Sequence, residues 1–99
     1  MDHSRFELRR TSDELVYSFA REKRKDGSYG YKRADNPDLW ITWRGHDLGW
    51  AAYDETGIYG LTGRPWATLP KDQSPDYPPE GEWVSKKDNK SYVYTLVYV

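Results

Sequence analysis

One stretch limits the fold more than any other: Ser91-Tyr92-Val93-Tyr94-Thr95-Leu96-Val97-Tyr98-Val99. Its residues are mostly β-branched or aromatic, types that fit a pleated, packed surface. With a period of two, Tyr92, Tyr94, Leu96 and Tyr98 share one face, and Val93, Thr95, Val97 and Val99 share the other. Both faces are apolar. Such a segment is a central strand covered on both sides, or a strand of a barrel.

Other segments alternate in the same way. In Leu39-Trp40-Ile41-Thr42-Trp43-Arg44, the side chains of Leu39, Ile41 and Trp43 oppose those of Trp40, Thr42 and Arg44. Leu48-Gly49-Trp50-Ala51-Ala52-Tyr53 puts Leu48, Trp50 and Ala52 together. Gly57-Ile58-Tyr59-Gly60-Leu61 and Glu82-Trp83-Val84-Ser85 are shorter candidates. Turn residues separate them: Asp26-Gly27, Asp35-Asn36-Pro37-Asp38, Arg44-Gly45-His46-Asp47, Asp54-Glu55-Thr56-Gly57 and Asp88-Asn89. Short strands joined by short turns predict an all-β antiparallel meander of about six to seven strands, curled into a small barrel or half-barrel.

Rings must fill such a fold. Phe 2, Trp 5 and Tyr 9 make 16 aromatics against 14 branched aliphatics, with no cysteine. Leu, Ile, Val and Phe together number 16 of 99, below the roughly 20% at which disorder is suspected. Disorder also needs high net charge and few aromatics, whereas this chain carries a net −1 and abundant rings. We expect one domain over residues 1–99, with an aromatic core. Absent cysteine rules out disulfides, thiolate zinc sites and thiol nucleophiles. No apolar run reaches the ~20 residues that cross a bilayer, and no apolar leader follows Met1. An intracellular, cytoplasmic protein without membrane contact is the expectation.

Residues 11–33 admit two readings. Thr11-Ser12-Asp13-Glu14 fits a capping box, with Leu15, Val16, Phe19 and Ala20 as a helical stripe. Alternatively, Leu15-Val16-Tyr17-Ser18-Phe19 is a strand that turns at Asp26-Gly27 and returns through Tyr29-Gly30-Tyr31-Lys32-Arg33. Pattern alone does not separate them. Residues 64–80 hold five of the six prolines, so they cannot be regular sheet or helix. With Trp66 and Tyr77 inside, this stretch reads as a long ordered loop strapped over the sheet.

The order of these pieces resembles a family of small Trp/Tyr-rich β modules, found singly and in tandem in eukaryotic multidomain proteins. The matching stretches are Leu15-Val16-Tyr17, Asp26-Gly27-Ser28-Tyr29-Gly30-Tyr31-Lys32-Arg33, Leu39-Trp40-Ile41, Gly49-Trp50-Ala51-Ala52, Gly57-Ile58-Tyr59-Gly60, Pro78-Pro79-Glu80-Gly81-Glu82-Trp83 and Tyr94-Thr95-Leu96-Val97-Tyr98. They cover the chain from about Phe6 to Val99. Two departures stand out: Glu82 separates Gly81 from Trp83, and Arg64-Pro65-Trp66-Ala67 is additional. The family has no established activity, so the resemblance implies architecture. It favours the hairpin over the helix for residues 11–33, and it implies that Trp50 and Trp83, which fall on its pattern, lie in the core.

Catalytic constellations are weak. His46-Asp47 lies in a turn, and the only other histidine, His3, lies near a chain end expected to be mobile. Asp35-Asn36-Pro37-Asp38 lacks the alternating ligands of a calcium loop, and Asp35 is expected to make an Asx turn before Pro37. Asp54/Glu55 and Glu80/Glu82 pair carboxylates without a cleft large enough for a sugar. No serine–histidine–aspartate motif or phosphate-binding glycine loop is present. We therefore expect no enzyme, no metal and no cofactor.

A non-catalytic interaction module that binds a protein or extended peptide fits best, because aromatic grooves hold proline-rich segments. A carbohydrate-binding module is the alternative. A single-strand nucleic-acid binder is weaker: Tyr29, Tyr31, Lys32, Arg33, Trp40, Trp43 and Arg44 interleave rings and cations, but the net charge is −1. The candidate surface is Trp43, Arg64, Trp66 and Tyr77. If the C-terminal strand is an edge, it could pair with a second copy.

Overall fold

The computed structural model describes residues 3–54, 62–64, 74–87 and 89–99. Among them the chain is all strand and turn. The strands are β1 (Arg5–Arg10), β2 (Val16–Lys23), β3 (Tyr29–Arg33), β4 (Leu39–Trp43), β5 (Trp50–Asp54), β6 (Thr62–Arg64), β7 (Gly81–Lys87) and β8 (Lys90–Tyr98). All pairings are antiparallel, in the order β6-β5-β4-β3-β2-β1-β8-β7. Among the described residues the sheet is the expected antiparallel half-barrel, with eight strands. β1, whose Phe6 and Leu8 alternate with charges, and the short β6 add to the candidates read from the sequence, while the candidate at residues 57–61 lies outside the described residues. No helix among the described residues is long and apolar enough to cross a membrane.

One face of this sheet holds the core. Phe6 and Leu8 of β1, Phe19 of β2, Tyr31 of β3, Ile41 of β4, Trp50 of β5, Trp83 of β7, and Tyr94, Leu96 and Tyr98 of β8 form a single cluster. A flat sheet would spread side chains from so many strands too far apart to touch, since neighbouring strands sit about 4.8 Å apart. The sheet must therefore curl into a half-barrel with these rings on the concave side. Phe6 touches Phe19, Tyr31 and Tyr98 at centroid distances of 5.1, 4.8 and 5.7 Å. Trp50 and Trp83 are 2% and 1% exposed, as core residues should be.

Residues 11–33 form the hairpin, not the helix. Register pairs Phe6 with Phe19 and Leu8 with Tyr17, which places their side chains on the concave face. Asp13 ion-pairs with Arg10 and accepts the Leu15 N–H at 3.3 Å, closing the first turn. Arg10 holds the Asp13 carboxyl below its ordinary range. In the second turn, Gly27 takes φ 90°, a conformation that strains other residues. The Ser28 N–H and hydroxyl both donate to Asp26, lowering that carboxyl as well. In the third, Asn36 rather than Asp35 makes the Asx turn, accepting the Asp38 N–H at 3.1 Å. Asp35 is instead paired with Arg33, which lowers its pKa.

The C-terminal segment lies between β1 and β7, so it is an interior strand and not free to pair with a second copy. Its inner face is buried, while Val93, Thr95 and Val97 on the other face are only half-buried. The convex face has its own packed patch: Trp40, Thr42 and Ala51 are buried there beside Gly30. A Cβ on Gly30 would sit 3.1 Å from Trp40 Cε3 and 3.2 Å from both Arg24 Cδ and Thr42 Cγ2. Gly30→Val should therefore cost about 1–3 kcal/mol through overpacking. A urea midpoint unchanged from wild type would contradict this packing.

Topology also sets the course of the proline-rich segment. The strands it joins, β6 and β7, lie at opposite edges of the sheet. Its described part, residues 74–80, lies against the core. The Trp50 indole donates to Ser74 O at 2.7 Å, the Trp83 indole to Pro79 O at 3.1 Å, and the Tyr98 hydroxyl to Pro78 O. Pro78 itself is buried. Over these residues the expected strap is present, and residues 65–73 lie outside the description.

Candidate functional site

At one end of the half-barrel the curled strands leave a cavity of about 590 Å³. Four parts of the chain build it. The ends of β2 and β3 supply Arg21 and Tyr29, and the β4–β5 turn region supplies Trp43 and Trp50. Residues 74–80 supply Tyr77 and Asp76, and the segment before β1 supplies His3. Its volume falls within the roughly 300–1,000 Å³ typical of ligand sites.

Strand alternation explains why rings reach this end. Register places Arg21 opposite Tyr31, and Lys23 opposite Tyr29, on the concave face. Tyr31 is deep and 1% exposed, with Tyr29 nearer the rim at 52%. Across the cavity, Trp43 and Trp50 are register partners with ring centroids 5.9 Å apart at 60°. Tyr31 meets Trp50 at 5.7 Å and 69°. These rings tilt against one another, so they form walls rather than a flat platform.

His3, expected near a mobile end, is packed against rings of the cavity. Its ring stacks on Tyr77 at 3.7 Å and meets Tyr98 edge-on at 4.7 Å. The Tyr31 hydroxyl donates to its carbonyl at 2.6 Å, and the Arg21 N–H donates to Ser4 O at 2.8 Å. Residues 3 and 4 are thus fastened to the cavity wall. His46 is an exposed turn residue, edge-on to Trp43 at 5.3 Å. Among the described residues no group of three histidine, aspartate or glutamate side chains could hold a metal ion.

Of the four candidate residues, Trp43 and Tyr77 line this one cavity. Arg64 lies in β6 opposite Ala52, and its side chain is outside the described residues, as is Trp66. Arg21, Tyr29 and His3 were not singled out from the sequence as parts of the surface. Their signal was the alternation Tyr17, Phe19, Arg21 on β2 and Tyr29, Tyr31 on β3. The rings and cations considered for single-strand stacking do not form one surface. Tyr29, Tyr31, Arg33 and Trp43 are on the concave register, Lys32 and Trp40 on the convex one, and Tyr31 and Trp40 are buried.

Fold and site define a curled antiparallel half-barrel with an aromatic-walled cavity at one end. In comparisons with known proteins, no family model, curated protein or solved structure matches the chain.

Proposed function

We propose that this chain is a non-catalytic interaction module, binding an extended, proline-containing segment of a partner protein in the cavity at the end of its half-barrel. The observation that carries this reading is the rim of Tyr29, Trp43 and Tyr77 around a space of about 590 Å³. Tilted ring walls suit the pyrrolidine faces of a polyproline helix, which is already extended and loses little entropy on docking.

The test is a ¹⁵N–¹H NMR titration with amidated proline-rich decapeptides, a glycan panel and short oligonucleotides. Peptides should shift the Trp43 and Trp50 indole signals. Tyr29 is half exposed, so Tyr29→Ala should weaken the peptide roughly tenfold while moving the thermal midpoint by only a few degrees. Glycans that move those indoles while peptides leave them still would make this a carbohydrate module. If no ligand class moves them, the cavity is not a binding site.

A further inference from the structure

Resting on that reading, we infer that the cavity carries an anion subsite at Arg21, which takes a carboxylate of the bound segment. The argument begins with a break in pattern. The concave positions of β2 run Tyr17, Phe19, Arg21 and Lys23, and the first two pack onto the core. A third apolar residue would continue that face. Instead an exposed arginine points into the ring-walled space. Local rules tend to break where a site requires it.

Geometry prepares this arginine for an acid. Its guanidinium lies 4.5 Å from the Tyr29 ring centroid, a stacking that fixes the group and leaves its N–H edge for a carboxylate. Five other basic residues are already engaged: Arg9 with Glu7, Arg10 with Asp13, Arg24 with Asp26, Lys32 with Glu22 and Arg33 with Asp35. Among the described residues, Arg21 has no carboxylate within 4.0 Å. Two further charges line the cavity. Arg24 adds positive charge, though it is turned over Trp40 and Tyr53 at 5.6 and 4.7 Å. Asp76 opposes an incoming anion, and its backbone N–H is held by Ser74 Oγ at 3.2 Å. Because Arg24 is taken up by Asp26, the anion is held by the open N–H edge of Arg21 and not by a surplus of charge. A single arginine fork matches one carboxylate, whereas a phosphate backbone needs a row of cations.

The carboxylate could be an acidic side chain or a chain terminus, so the test has an arm for each. Three acetylated peptides are titrated into the whole chain by NMR at about 50 mM salt: Pro-Pro-Glu-Pro-Pro amide, Pro-Pro-Gln-Pro-Pro amide, and the glutamine peptide with a free C-terminus. A carboxylate-bearing peptide should bind about tenfold tighter than the neutral amide, and the arm that gains names the source. Arg21→Gln should abolish this preference, bringing the ratio of acidic to neutral peptide affinity to about one. Asp76→Asn should widen it. Equal binding of all three peptides, or a preference that survives Arg21→Gln, overturns the anion subsite while leaving the peptide reading intact. Tighter binding of an eight-nucleotide oligothymidine than of either acid also overturns it. Peptides that fail to move the indoles overturn both readings.

Discussion

Replacing Trp83 by alanine should lower the thermal midpoint by roughly 15–30 °C and leave much of the protein unfolded at 37 °C. Trp83 is 1% exposed, and it joins the edge strand β7 to the core through the cross-strand position opposite Tyr94. Truncating a buried tryptophan costs about 3–5 kcal/mol through lost transfer energy and the cavity left behind. The loss also strips the indole donor from Pro79 O, where residues 74–80 turn into β7. A chain of 99 residues without disulfides has little reserve. Each kcal/mol corresponds to about 4–8 °C in a domain this small. Trp83→Phe keeps a ring in the core and loses only the donor and part of the volume, so its midpoint should fall between the two. Circular dichroism melts of the three proteins check this. A drop under about 5 °C for the alanine variant would remove Trp83 from the core.

That prediction concerns a residue whose role was legible in the sequence. Trp50 and Trp83 stand out because both fall on the pattern of the Trp/Tyr-rich modules that the chain resembles, and a chain with so few aliphatics needs rings indoors. The β2–β3 hairpin was legible only in part. Thr11 and Glu14 satisfy a capping box as well as a turn, and local pattern cannot weigh that against Phe6 meeting Phe19 across β1 and β2. In the structure Glu14 sits at φ 62°, donates its N–H to Arg10 O at 3.1 Å, and belongs to a turn. Leu15 and Val16, which a helical stripe would bury, are exposed.

The cavity was harder to foresee, for a physical reason. It arises where sheet curl, the first residues and residues 74–80 converge, and each comes from a different part of the chain. Trp43 and Tyr77 could be singled out one at a time, but nothing local shows that they border the same space. In the sequence Arg21 opens the mostly basic stretch Arg21-Glu22-Lys23-Arg24-Lys25. Only register separates it from its neighbours, putting Arg21 on the concave face and Glu22 on the convex one.

The same convergence makes the fold sensitive to alkali through Tyr98. Its side chain is 8% exposed, and its hydroxyl donates to Pro78 O, fastening the strap to β8. Burial pushes the phenol far above its ordinary value near 10, and the neighbouring Tyr31 adds to the shift. Burial also raises Tyr94. A raised folded-state pKa means that the unfolded chain loses its proton first. The stabilisation is whole below pH ~10, and it drains as pH climbs through the interval between the unfolded and folded values. One such proton costs roughly 1.4 kcal/mol for each pH unit above that point. Urea midpoints measured from pH 7 to 12 should therefore hold level and then fall. Tyr98→Phe should start lower at pH 7 by about 1 kcal/mol, because Pro78 O loses its donor. Its decline above pH 10 should nevertheless be shallower, so the two curves converge. Parallel curves would mean that Tyr98 does not titrate with unfolding, and that its hydroxyl is not the latch holding residues 74–80 to the sheet.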